Sequence, residues 1–121
     1  DPFTDAVNRV EDDAPDELVE TLRLVPDHVD ASQLPNSGYV VHTLQTALHD
    51  ALTADSAEDA IVTAVNRGGD TDTIGAVTGA LVGARFGSES LPDRWLTTID
   101  YREDLELLAH ALATTEIDVG M

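Results

Sequence analysis

From Ile74 to Gly87 the chain places a glycine at every fourth position, Gly75, Gly79, Gly83 and Gly87, among small and aliphatic side chains. A four-residue step runs along one face of an α-helix and has no counterpart in the two-residue period of a strand. Each interior glycine costs about 1 kcal/mol relative to alanine in a helix, so the series needs compensation, and close approach of another helix supplies it. The spacing predicts a tightly packed central helix, capped by Thr71 or Asp72 and continuing to about Arg85, in which the glycines are structural. The run Ile74 to Phe86 is too short to cross a membrane and is flanked by Asp and Arg.

The other patterns are helical as well. Pro15 and Asp16 open a helix to Val25 whose face is Leu18, Val19, Leu22 and Val25, and Pro26 stops it. Tyr39 to Ala54 carries Val40, Val41, Leu44, Ala47, Leu48, Ala51 and Leu52 at helical spacing. Ser56 caps the next helix, with Asp59 three residues on; Ala57, Ala60, Ile61, Ala64 and Val65 form its inner face, and Gly68 and Gly69 end it. Leu91-Pro92-Asp93 opens a short turn through Trp95 and Leu96, and Asp100 caps a last helix with Leu105, Leu108, Ala109 and Leu112 inward. Residues 1–15, polar and acidic with two prolines, read as a loop or the frayed remnant of an earlier element, and residues 26–38, with Pro26, Pro35, Asn36 and Gly38, as a connecting loop. No alternating strand pattern appears, so the expected fold is all-α, a compact orthogonal helical array. Phe86 and Trp95 are expected as core side chains, and His42 and His49 as partly buried ones.

The 121 residues allow one domain with a core of its own. The formal charge is −18, from 24 acidic and 6 basic residues, and every basic residue is Arg. The acids are dispersed among apolar periodic segments, which separates this composition from a disordered tail. Such a surface suits molar salt, where the Debye length falls to about 3 Å and self-repulsion is screened. The expectation is a halophile-type cytoplasmic protein. No basic patch exists to displace counterions from nucleic acid. With no cysteine, disulfides, thiolate nucleophiles and zinc–thiolate sites are excluded. The chain starts at Asp1 and not at Met, which suggests that an N-terminal portion precedes it.

The chemistry concentrates in Asn66-Arg67-Gly68-Gly69-Asp70-Thr71-Asp72-Thr73. Asp70 and Asp72 lie two residues apart at a helix start, where both can converge on one point and the Thr73 hydroxyl can join them. Hard divalent cations such as Mg²⁺ take oxygen ligands of this kind. The helix N-terminus favours the carboxylates by roughly 0.3–1 kcal/mol each, and a cation would relieve their mutual repulsion far more. Gly68 and Gly69 supply positive φ angles and let the backbone approach a bulky ligand. The competing reading is an Asp N-cap after a glycine C-cap with no metal. An EF-hand starting at Asp70 would have its glycine at Gly75 but lacks the closing acid, because Leu81 stands there. A phosphotransferase Asp-x-Asp-x-Thr loop needs a strand running into its first Asp; Ala60 to Val65 is the one candidate, and Asn66 to Gly69 intervene. Ser37-Gly38-Tyr39, before the long helix, offers N–H groups, a hydroxyl and an aromatic face to a ribose, phosphate or adenine; an ordinary cap with Tyr39 packing as a staple explains it equally well.

With these residues in view, the chain resembles the C-terminal portion of the ADP-ribosylglycohydrolase family, which includes dinitrogenase reductase-activating glycohydrolase and the ADP-ribosylhydrolases. The resemblance runs from about Asn36 to Leu112. It is carried by Ser-Gly-Tyr-Val-Val, by Ala-Val-Asn-Arg-Gly-Gly-Asp-Thr-Asp-Thr-Ile-Gly-Ala-Val-Thr-Gly-Ala-Leu-Val-Gly-Ala, and by Leu-Pro-Asp-Arg-Trp. It implies an all-α fold with two Mg²⁺ (or Mn²⁺) ions in the complete enzyme. By the same resemblance Asp70, Asp72 and Thr73 are metal ligands, Asp72 bridges the ions, Asp70 and Asp72 are catalytic, and Ser37, Gly38, Tyr39, Gly68 and Gly69 lie at the substrate. The implied reaction is hydrolysis of the glycosidic bond of an ADP-ribosylated protein or a small ADP-ribose derivative.

Family members are about twice as long, and their N-terminal half supplies a Thr/Asp-Asp cluster that Glu11-Asp12-Asp13 does not reproduce. Residues 1–35 are accordingly expected to be an acidic remnant of a preceding helical region with a linker. Residues 36–121 are expected to be the metal-binding part, partnered by the missing N-terminal half. The alternative function is a non-catalytic helical module that binds ADP-ribose, a cation or a protein partner.

Overall fold

The computed structural model describes residues 2–25 and 40–116, and among them the secondary structure is helical with no strand. Seven α-helices follow in order: α1 (Pro2–Val10), α2 (Asp16–Leu24), α3 (Val40–Thr53), α4 (Ala57–Val65), α5 (Thr71–Phe86), α6 (Asp93–Leu96) and α7 (Arg102–Thr114), with a 3₁₀ turn at Ser88–Ser90. The all-α expectation holds. Ala60 to Val65, the segment weighed as a strand feeding a phosphotransferase loop, is helix α4. The chain divides into two compact units, residues 1–90 and 91–121; the boundary expected at residues 35 and 36 lies outside the described residues.

The helix ends follow the local chemistry. Pro15 precedes α2, with its carbonyl accepting from the Leu18 and Val19 N–H groups. Ser56 Oγ accepts from the Asp59 N–H at 3.1 Å, the cap the sequence predicts for α4. Gly68 and Gly69 follow α4 with φ of +83° and +69°, and Gly87 ends α5 at +87°, conformations that an L side chain rarely adopts. Pro92 precedes α6 as expected.

Three starts differ from expectation. Residues 2–10, weighed as a loop or a frayed remnant of an earlier element, form a regular helix: Pro2 stands in the first turn, where its missing N–H costs nothing, and Val7 is buried. Helix α5 is preceded by Asp70 as its N-cap residue, not by Thr71 or Asp72, and the Asp70 side chain makes no capping bond. Helix α7 is preceded by Tyr101 in the left-handed region at φ +61°, not by Asp100.

In the first unit α3, α4 and α5 pack on one another, α2 packs on α3, and α1 on α2. The core between α3, α4 and α5 is built from small side chains. Ala47 and Ala51 of α3, Ala57, Ala60 and Ala64 of α4, and Ile74, Thr78 and Val82 of α5 are all buried. Side chains of this size let helix backbones come close. The approach is tightest at Gly75, where an added Cβ would lie 2.9 Å from Val65 Cγ1. Gly79 and Gly83 depart from the expected close packing: among the described residues a Cβ on either meets nothing within 4 Å.

Helix α3 buries Ala47 and Ala51 of the face its aliphatic residues mark, but not the rest of that face. Thr43, Thr46, His49 and Asp50 are buried, whereas Val40 is exposed and Val41, Leu44, Leu48 and Leu52 are half-buried. The buried side of α3 is its small and polar one, a choice that periodicity alone does not encode. Arg85 then secures the C-terminal end of α3, donating from Nη1 to the Ala51 and Ala54 carbonyls at 2.8 and 2.9 Å. These are carbonyls that the last helical turn leaves without intrahelical partners. Phe86, expected in the core, is half-buried beneath the Arg85 guanidinium at 4.4 Å.

In the second unit Trp95 is likewise half-buried, with the Arg94 guanidinium 5.4 Å from its ring. The expected inner face of α7 is not buried: Leu105, Leu108 and Leu112 are 53%, 62% and 73% exposed, and Ala109 is exposed too.

Candidate metal centre at the start of helix α5

The turn from Asn66 to Thr73 is shaped by its neighbours. Helix α4 ends at Val65, and Asn66 folds its side chain back, with Nδ2 donating to the Val62 carbonyl at 2.8 Å. The two glycines reverse the chain, and the Thr71 N–H donates to the Gly69 carbonyl at 2.9 Å. The Asp70 carbonyl then accepts the first bond of α5, from the Ile74 N–H at 3.1 Å. Ile74, wholly buried, fixes that end of the turn in the core.

On this frame Asp70, Asp72 and Thr73 come together. Thr73 Oγ1 donates to Asp70 Oδ1 at 3.0 Å, and the Thr73 N–H donates to Asp72 Oδ1 at 3.0 Å. The Asp72 carboxyl is held below the ordinary aspartate range, chiefly by side-chain hydrogen bonding with Asp70 and then by the backbone N–H groups of Thr73 and of Asp72 itself. Asp72 and Thr73 are exposed, and no basic side chain among the described residues is paired with Asp70 or Asp72. The cluster is therefore anionic, oxygen-only and open to solvent at the positive end of a helix. That donor chemistry fits a hard divalent cation such as Mg²⁺ or Mn²⁺ and not a softer one. Among the described residues no group of three or more His, Cys, Asp or Glu side chains is gathered as a metal cage, so the described chain offers two carboxylates and a hydroxyl. Gly68 and Gly69, predicted beside a substrate, are exposed and adjoin the carboxylates. Ser37, Gly38 and Tyr39 lie outside the described residues.

One element of the site went unread in the sequence. Asp50 of α3, with a side chain only 1% exposed, forms a bidentate pair with Arg67, the residue that precedes the two glycines. Arg67 Nε donates to Asp50 Oδ2 at 2.8 Å, and Arg67 Nη2 pairs with Asp50 Oδ1. The Arg67 pKa is raised, first by this side-chain hydrogen bonding and further by the Asp50 charge, against the opposing effect of burial. His49 Nδ1 lies 3.4 Å from Asp50 Oδ1. A cleft of about 420 Å³ opens beside the pair, lined among others by His49, Asp50, Asp55, Asp59 and Arg67; Asp70, Asp72 and Thr73 are not in its wall. The available signal was an aspartate among the small residues of α3, one helix away from an arginine at a glycine turn. A separation of 17 residues hides such a pair from any local pattern.

Comparison with known proteins identifies the family. Residues 1–119 match the model of the family described as ADP-ribosylglycohydrolase. The chain is 38% identical over 92 residues to the ADP-ribosyl-[dinitrogen reductase] glycohydrolase of Rhodospirillum rubrum, covering 73% of this chain and 31% of that protein. It is 36% identical over 80 residues to the ADP-ribosylarginine hydrolase Tri1 of Serratia proteamaculans, covering 66% and 22%. It is 37% identical over 60 residues to the ADP-ribosylhydrolase ARH3 of Bos taurus, covering 50% and 16%. The chain thus spans about a third or less of the length of these curated relatives. No solved structure gives a significant match. On the family match over residues 1–119, together with the all-helical structure, this chain belongs to the ADP-ribosylglycohydrolase family.

Proposed function

We propose that this chain forms one wall of the divalent-cation centre of a hydrolase that cleaves the glycosidic bond of an ADP-ribosylated protein or a small ADP-ribose derivative. The remaining ligands would come from residues outside this sequence, a reading supported by the chain's covering only 31% or less of its relatives. The observation that carries it is the Asp70–Asp72–Thr73 cluster at the α5 N-terminus, exposed at Asp72 and Thr73, in a member of this family.

Asp70, Asp72 and Thr73 would hold Mg²⁺ or Mn²⁺, with two ions in the complete enzyme and Asp72 between them. The cation would supply the positive charge that orients ribose hydroxyls and favours deprotonation of a water nucleophile. The chain's own contribution is preorganisation. The Thr73 hydroxyl donates to Asp70 and leaves its own lone pairs free, and its N–H holds one Asp72 oxygen. The low pKa of Asp72 keeps that carboxylate ionised and ready as a ligand. Gly68 and Gly69 carry no side chain to block a ribose from the carboxylates. In the net reaction water adds across the C–N or C–O bond at the ribose anomeric carbon, which takes the hydroxyl while the departing side chain takes the proton.

The test is release of ADP-ribose by the full-length protein in molar KCl, with Mg²⁺ present or chelated, comparing wild type and Asp72→Ala. Release should need Mg²⁺ and vanish in the variant; release indifferent to both would refute the reading. The partial coverage of the relatives favours a second reading for this chain on its own: binding of ADP-ribose, a cation or a partner without turnover. Calorimetric binding with no product would match it, and product formed by the chain alone would exclude it. We also read the −18 charge as adaptation to a cytoplasm of molar salt, so that dilution of KCl to about 0.1 M, where the Debye length grows to about 10 Å and the acidic surface repels itself over a longer range, should lower the unfolding temperature.

A further inference from the structure

We propose that Arg67 is a positioning residue for the Asp70–Asp72–Thr73 turn: its guanidinium, clamped by the buried Asp50 carboxylate of α3, fixes the near end of the two-glycine reversal and so sets where the two carboxylates stand. This rests on the cation-site reading above.

The turn joins α4 to α5 through Gly68 and Gly69, which have no side chains to hold them and whose backbones populate positive and negative φ about equally when free. Their observed φ values, +83° and +69°, therefore need fixing from both sides. On the far side the Ile74 N–H bonds to the Asp70 carbonyl, and the Ile74 side chain is buried. On the near side the backbone bond of Arg67, from its N–H to the Ala64 carbonyl, is long at 3.4 Å. The firm contact there is the side chain. Arg67 reaches α3 and meets both oxygens of Asp50 through Nε and Nη2. A two-point contact between planar groups sets the orientation of the guanidinium as well as its distance, which a lysine ammonium does not do.

The energetics favour position over stability as the purpose of the pair. A buried ion pair replaced as a whole by apolar side chains of similar volume is often neutral or stabilising, so stability alone gives little reason to keep charges here. Asp50 is 1% and Arg67 14% exposed, and the pair ends one residue before the glycine turn. A positional role accounts for both facts.

The decisive variant is the apolar double substitution Asp50→Leu with Arg67→Met, which removes both members of the clamp; Arg67→Lys is the second, keeping the charge and losing the fork. Backbone ¹⁵N relaxation and Mn²⁺ affinity are measured in molar KCl, with unfolding followed by circular dichroism. In the folded double variant the order parameters of Gly69 and Asp70 should fall from about 0.85 to below about 0.6, while those of Thr78 to Val82 hold. Mn²⁺ binding should weaken about tenfold, and Arg67→Lys should restore part of each loss. Wild-type rigidity and affinity in the double variant would overturn the proposal, as would a loss of order spread evenly along α5. If the double variant does not fold, Arg67→Lys decides: a turn and an affinity unchanged from wild type would overturn it. If the wild-type chain takes up no Mn²⁺, the cation-site reading fails, and the order parameters alone then judge the role of Arg67.

Discussion

Two groups of aspartates stand on either side of one glycine turn and do opposite work. Asp50 lies in the interface of α3, almost wholly buried, and both its oxygens are taken by Arg67. Asp72 stands across the turn at the start of α5, exposed, with no arginine among the described residues paired to it, and next to a second carboxylate. A buried charge is tolerable only when it is matched, because desolvation costs several kcal/mol per ion. An exposed pair of carboxylates costs the fold little and gains nothing from packing, so its arrangement has to be explained by what it can bind. The first group belongs to the architecture and the second to the proposed chemistry.

The comparison breaks most readily by truncating one side chain at each place. Arg67→Ala should destabilise the fold by about 3–5 kcal/mol, since it strands the Asp50 charge in the interior. Asp72→Ala should lower the unfolding transition far less, because it removes only the small contribution of an exposed carboxylate. Chemical denaturation in molar KCl measures both, and equal effects would erase the distinction.

The next effect concerns the helix behind the turn. Gly79→Ala and Gly83→Ala meet open space and should each stabilise by about 0.5–1 kcal/mol through better helix propensity. Gly75→Ala must displace Val65 Cγ1 and should gain less or lose. Equal gains at all three positions would show that α4 and α5 do not approach closely at Gly75.

The smallest effect is on pH. Because the folded-state pKa of Asp72 is depressed, its contribution to stability is complete above the unfolded-state value and disappears as pH falls through the folded one. The carboxylate should stay ionised below the ordinary aspartate range near 3.9 and protonate only in stronger acid. Side-chain carbonyl NMR shifts follow this directly; protonation at or above the ordinary value would contradict the hydrogen-bonded arrangement with Asp70 and Thr73.

Much of this molecule is legible locally. Ser56, the two glycines after α4 and Pro92 mark their boundaries by backbone chemistry that needs no tertiary context, and the same local density of oxygens singled out Asp70, Asp72 and Thr73. What escaped was decided at a distance. Pro2 reads as a breaker unless it is recognised as a first-turn residue. The aliphatic residues of α3 announce one face, yet beside Ala47 and Ala51 the buried side chains are Thr43, Thr46, His49 and Asp50. Gly79 and Gly83 share the spacing of Gly75 without sharing its contact. Leu105, Leu108 and Leu112 keep their helical period while remaining exposed on α7. In each case the pattern gives the helix correctly and leaves open which neighbour, if any, covers it.

The central claim is that the α5 turn is a cation site, and calorimetric titration of Mn²⁺ into this chain and into its Asp72→Ala variant, in molar KCl at neutral pH, tests it most directly. The account predicts saturable binding to the wild type that Asp72→Ala removes while the helical circular dichroism is retained. Binding of the same strength to both proteins, or none to the wild type, would contradict it.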